Sequence, residues 1–192
     1  MDDGLDDLLT ESREHDVIIK CHQPGPRTRA AIFEGAIRNI FTHRDPRDAA
    51  ASALQVGIVE SFEQILAVLE MHQSTYLAYV EGPTLCVPYA QAVADDLVGA
   101  RRIADYVGHP RSSEQLKALA DALGIEKTRA RASKLTEEDF EERFPHERET
   151  LLHRNHITDG RTGWWRDVLT SAQASQIEQV LAPFFAGFGY AP

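Results

Sequence analysis

Arg44 and Ser52, eight residues apart, are the residues whose types and spacing speak most clearly of chemistry in this 192-residue chain. A guanidinium offers a planar fork of charged donors, and a hydroxyl about two helical turns further on adds a neutral one, so the two can grip a single phosphate. That requires Arg44 at a strand end and Ser52 in the helix that follows. The sequence provides for both: Ile37, Ile40 and Phe41 read as strand, Asp45 is a good N-cap, and Pro46 suits the first helical position, where its missing N–H costs nothing. Arg44 then stands at the carboxyl end of a strand, the edge where open α/β sheets bind ligands. The competing reading of the same stretch is a capped helix with surface salt bridges.

The elements that must position these residues alternate along the chain. Leu5, Leu8 and Leu9 mark a short amphipathic helix, and Ala30 to Gly35 reads as another helical turn. Between them Val17-Ile18-Ile19-Lys20-Cys21-His22 is a short apolar strand, bounded by the turn-forming Pro24-Gly25-Pro26. After the Pro46 helix, Ser61 with Gln64 three residues on resembles a capping box. Apolar positions then recur at helical spacing to about Val80. Gly82-Pro83 breaks that helix, Leu85 to Pro88 forms the next strand, and helices follow over about Ala94–Val107 and Ser112–Leu123. Strands separated by helices imply parallel pairing under covering helices, and three strands make a thin sheet with an exposed side. Ile125 to Leu135 carries Lys127, Arg129, Arg131 and Lys134, either a solvated helix face or the wall of an anion pocket. Thr136 to Glu149 is acidic and polar, Ser171 to Phe185 reads as a closing helix, and Trp165 reads as core packing.

Composition fits one globular domain over 1–192, with 43% hydrophobic and 26% charged residues. The net charge of −10 argues against a nucleic-acid partner or a membrane surface, so a bound anion must be held by local positive charge. Cys21 and Cys86 fall in the expected buried strands and read as free core thiols. No signal peptide, transmembrane run or lipidation motif is present, and a cytoplasmic setting is expected. His43, His72, His109, His146, His153 and His156 show no metal-ligand spacing, so no metal is expected.

The strand followed by Arg44-Asp45-Pro46-Arg47-Asp48, with Ser52 eight residues after Arg44, resembles the 3′-phosphate-binding segment of the sulfotransferase family. Two other segments lie in the family's order. Lys20-Cys21-His22 resembles the strand that delivers the family's general base, and Gly160-Arg161-Thr162-Gly163-Trp164-Trp165-Arg166 resembles its late Gly-x-x-Gly-x-Trp-(Lys/Arg) loop. Val87-Pro88-Tyr89 stands where the family has a Tyr-Glu-Asp strand end, and the likeness runs from about residue 16 to 190. It implies an α/β fold, a three-layer parallel sheet with flanking helices of the P-loop NTPase-like type. The co-substrate would be 3′-phosphoadenosine-5′-phosphosulfate, with a small-molecule hydroxyl acceptor. By resemblance His22 is the general base, Lys20 steadies the sulfuryl group, Arg44 and Ser52 hold the 3′-phosphate, and Gly160, Arg161 and Gly163 form the closing loop.

The chain departs from the family pattern twice. The Gly/Ser/Thr-rich loop that cradles the 5′-phosphosulfate is not found, and Met1 to Asp16 is acidic instead. The expectation is therefore an N-terminally truncated member, arising from a gene start placed at an internal methionine or from degeneration, with impaired activity. Where the best-known members have Arg-Lys-Gly, this chain has Thr158-Asp159-Gly160, so Arg161 or Arg166 would have to supply the lost positive charge. The alternative is a non-catalytic remnant serving as a binding or interaction domain. A nucleotide-kinase-like phosphotransferase ranks last, because it would need a P-loop and a metal-binding carboxylate motif.

Overall fold

A computed structural model describes residues 4–12, 16–21, 24–94, 96–136 and 161–191. Helices α1 (Leu5–Glu11) and α2 (Pro26–Phe33) precede strand β1 (Asn39–His43). Helices α3 (Pro46–Gln55) and α4 (Phe62–Glu81) lead to strand β2 (Thr84–Pro88). Then come α5 (Tyr89–Ala94), α6 (Asp96–Tyr106), α7 (Ser113–Leu123) and α8 (Ile125–Ala132), and after the late loop α9 (Trp165–Val168), α10 (Ser171–Val180) and α11 (Ala182–Phe188).

Local signals place most of these boundaries. The Asp45 carboxylate accepts from the Arg47 N–H at 2.9 Å, Pro46 occupies the first turn, and α3 begins there. Ser61 accepts from the Gln64 N–H at 3.3 Å, and the Gln64 side chain reaches back to the Glu60 N–H at 2.8 Å. Gly82 ends α4. Complete capping boxes, Ser112 with Gln115 and Thr170 with Gln173, start α7 and α10.

The strands pair in parallel from Asn39↔Thr84 to His43↔Pro88, and α3 with α4 makes the crossover. One core packs the small face of α3 (Ala50, Ala51, Ala53) against Phe62 and Ile65 of α4, Trp164 and Leu169 of the late segment, and Ile177, Leu181, Phe184 and Phe185 of the closing helices. Alanines on α3 bring its backbone close to these neighbours, which holds its N-terminal turn beside the late loop. Among the described residues no helix is long and apolar enough to cross a membrane.

Four expectations need correction. Among the described residues the sheet has two strands, β1 and β2, where three were expected. Val17–Cys21 is irregular, Ile18 is 88% exposed, and Cys21 is exposed instead of buried in a core strand. A strand is stable only when a neighbour completes its ladder, and an apolar run without that neighbour stays irregular. Cys86 is half-buried with a free thiol, directed at the Tyr79 carbonyl at 3.8 Å. The closing helix is two helices, split at Leu181 with Pro183 in the first turn of the second.

Candidate functional site

Arg44 follows the last residue of β1, where the chain turns into α3. Its Nη2 donates to the Arg161 carbonyl at 2.9 Å, and its guanidinium lies 4.7 Å from the centroid of the Tyr89 ring at the start of α5. Its Nε is buried and has no hydrogen-bond partner among the described residues, a donor left over for something else. The structure thus brings the predicted phosphate-binding strand end against the predicted late loop, from opposite ends of the sequence.

The next turn of the helix secures that contact. Arg47, 5% exposed, donates to Asp45, Glu178 and the Ala191 carbonyl, with its guanidinium 4.5 Å from the Trp165 ring and 5.0 Å from Phe185. Desolvation works against its charge, but the hydrogen bonds and charges of Asp45 and Glu178 more than offset it and raise its pKa. Asp48, 1% exposed, accepts from the Gly163 N–H at 2.7 Å on one oxygen and from the Trp165 N–H at 3.1 Å on the other. Trp165 lies between two guanidinia, since Arg166 stacks on it at 4.4 Å and also donates to the Gly163 carbonyl. Gly163 has φ +77°, a left-handed turn that an L side chain resists, and a Cβ there would meet Arg166 Nη1 at 2.7 Å.

The other expected site residues fall differently. Ser52 is half-buried on α3 and shares a helix face with Asp48 one turn earlier. Gly163 is in place, but its N–H is committed to Asp48 and not open to a ligand. Arg161 is exposed, its carbonyl taken by Arg44 and its guanidinium 3.5 Å from Asp167. Lys20 lies on the irregular 16–21 segment, exposed yet close enough to neighbouring protein that desolvation holds its ammonium below the usual lysine pKa. His22 and Gly160 lie outside the described residues, as does most of the acidic segment after Thr136. Of the two tryptophans, Trp164 is the buried one and Trp165 is half-buried against the core between the arginines. On α8, Arg129 pairs with Glu126 one turn back, which fits the solvated-face reading of that basic cluster.

His43, the last residue of β1, is buried against Phe41 and Phe188, with Nδ1 2.8 Å from the Tyr190 hydroxyl. Burial pushes its pKa below the ordinary value of 6.5, and desolvation likewise raises that of the Tyr190 phenol. Neither the sequence pattern nor the strand reading pointed to Asp48. An acidic residue in a first helical turn reads as a partner for the helix dipole, and its true partners are 115 and 117 residues away.

With this geometry on the page, the relatives are informative. The profile of the sulfotransferase domain matches residues 6–189, and the chain belongs to that family. Its fold resembles two solved structures of retinol dehydratase. One, in complex with androsterone and the inactive cofactor PAP, is 22% identical with a TM-score of 0.57, over 79% of this chain and 48% of that one. The other, in a complex with retinol and PAP, is 21% identical with a TM-score of 0.58, over 81% of this chain and 49% of that one. The chain spans about half the length of these neighbours. No curated protein matches it significantly.

Proposed function

We propose that the chain binds the 3′-phosphate end of 3′-phosphoadenosine-5′-phosphosulfate and takes part in sulfuryl transfer to the hydroxyl of a small-molecule acceptor. The observation that carries this reading is the Arg44 junction. A strand-end guanidinium is drawn onto the late loop, yet keeps a buried Nε donor without a hydrogen-bond partner among the described residues. A phosphate suits such a donor, because a charged oxygen both satisfies it and gains the guanidinium's charge. The same segment opens α3, whose N-terminal dipole also favours an anion. Ser52, on the helix face below, is assigned the second contact, and the nearby arginines supply positive charge in a protein of net charge −10.

In the transfer itself, the acceptor oxygen attacks sulfur as the bond from sulfur to the bridging phosphate oxygen breaks. His22 is assigned the acceptor proton, because an imidazole titrates near neutrality, and Lys20 is assigned the charge that develops on the sulfuryl group. None of the residues assigned here grips the 5′-phosphosulfate, so these 192 residues are expected to bind nucleotide better than they turn it over. Both retinol dehydratase structures are complexes with PAP, which makes that ligand the natural probe. Calorimetry should show adenosine 3′,5′-bisphosphate binding more tightly than adenosine 5′-monophosphate. Arg44→Ala should remove about 1.5–3 kcal/mol of that preference. Equal affinity for the two nucleotides, or no effect of Arg44→Ala, would overturn the assignment.

A further inference from the structure

We infer that Asp48 is a positioning residue of the nucleotide site: its carboxylate sets the place of the late loop, so that the loop and Arg44 face the same phosphate. The functional consequence rests on the nucleotide reading above; the geometry does not. A carboxylate only 1% exposed must have its charge answered, and its partners are the N–H groups of Gly163 and Trp165, one on each oxygen. Two N–H groups from alternate residues can converge on one carboxylate only if the backbone between them bends sharply. The left-handed Gly163 supplies that bend.

The same stretch is tied twice more, by Arg44 Nη2 to the Arg161 carbonyl and by Arg47 to the Trp165 ring. Three residues of one strand-to-helix turn, Arg44, Arg47 and Asp48, therefore hold Arg161, Gly163 and Trp165 of the loop. Asp48 is the tie that uses up loop donors. It removes the Gly163 and Trp165 N–H groups from any ligand and fixes the loop so that Arg161, whose carbonyl meets Arg44, stands beside the strand end. Ser52, one turn along the same face, lies in line with that arrangement.

The test uses the full chain and reads two properties. Trp164 and Trp165 are its only tryptophans, so intrinsic emission reports the loop directly. Asp48→Ala should shift that emission to the red and increase acrylamide quenching, with far-UV circular dichroism unchanged. Asp48→Asn keeps one acceptor but turns an amide N–H toward a loop N–H, and should give the same changes in smaller degree. Asp48→Ala should also lower the affinity ratio of adenosine 3′,5′-bisphosphate over adenosine 5′-monophosphate by about tenfold, as expected for loss of a charge-assisted contact. Leu116→Ala, a core truncation on α7, should lower stability and leave both emission and ratio alone. Wild-type emission in the Asp48 variants would overturn the clamp. Altered emission with an unaltered ratio would overturn the positioning role and leave a purely structural contact. If the wild-type chain itself shows no preference between the nucleotides, the nucleotide reading falls and takes the positioning role with it, while the emission still decides whether Asp48 holds the loop. Should Asp48→Ala fail to fold, Asp48→Asn carries both measurements.

Discussion

His43 and Arg47 show how much of this protein's stability is invested in polar groups beside the site. His43 is neutral when buried, with a pKa below 6.5, whereas in the unfolded chain it titrates near 6.5. Below that pH the unfolded state binds the extra proton, so His43 contributes stability that is present above about pH 6.5 and is lost as pH falls. Its hydrogen-bond partner is the Tyr190 phenol, which in turn lies in the field of Asp45, Arg44 and Asp48. His43→Phe keeps the ring packing on Phe41 and Phe188; urea titrations at pH 5.5 and 7.5 should then differ less than in the wild type. Arg47 behaves oppositely, because removing it strands two carboxylates. Arg47→Met should cost about 3 kcal/mol, the lower end of the range for breaking a buried pair, since Asp45 and Glu178 keep some solvent contact. Equilibrium unfolding checks this. The place of Arg44, after a strand and before a capped helix, could be read from sequence because the signals that set it are local. Asp48 could not, because its meaning depends on a loop more than a hundred residues away.

At the level of elements, the helix starts and the parallel pairing of β1 with β2 were legible, and the Lys20 strand was misread. Asp45-Pro46, Ser61 with Gln64, and Ser112 with Gln115 each act on backbone a few residues away, so sequence alone placed α3, α4 and α7. The Thr170 cap is a clean case. Its side chain accepts from the Gln173 N–H at 3.2 Å, and Thr170→Ala should lower stability by about 1 kcal/mol, measurable by thermal or urea unfolding. The Lys20 strand failed as a reading because an apolar run describes what a strand would bury, not whether a neighbour is there to pair. The closing helix was read through Pro183, although a proline in the first turn of α11 fits the start of a new helix better than the interior of one. The late loop was recognisable from its glycines and tryptophans, yet which tryptophan is buried followed from packing: Trp164 enters the core, while Trp165 is taken up by cations on both faces.

For the molecule as a whole, an acidic chain gathers Arg44, Arg47, Arg161 and Arg166 around one strand-to-helix turn, so its positive charge is concentrated locally and its net charge says nothing of it. That turn sits at the start of the crossover joining the two parallel strands, whose paired residues Asn39 and Thr84 are 45 positions apart. Such a separation has a kinetic meaning. The helices of the crossover are built from contacts between near neighbours, whereas the β1–β2 ladder must close a long loop before any of its hydrogen bonds can form. The ladder should therefore complete after the folding barrier has been crossed. Val87→Ala, at a position 2% exposed in β2, should accelerate unfolding in stopped-flow measurements while leaving the refolding rate nearly unchanged. Arg44 and Tyr89, which flank the carboxyl ends of the two strands, would then be brought together only in the last stage of folding, so the proposed phosphate site is assembled late and is among the first features lost when the chain opens.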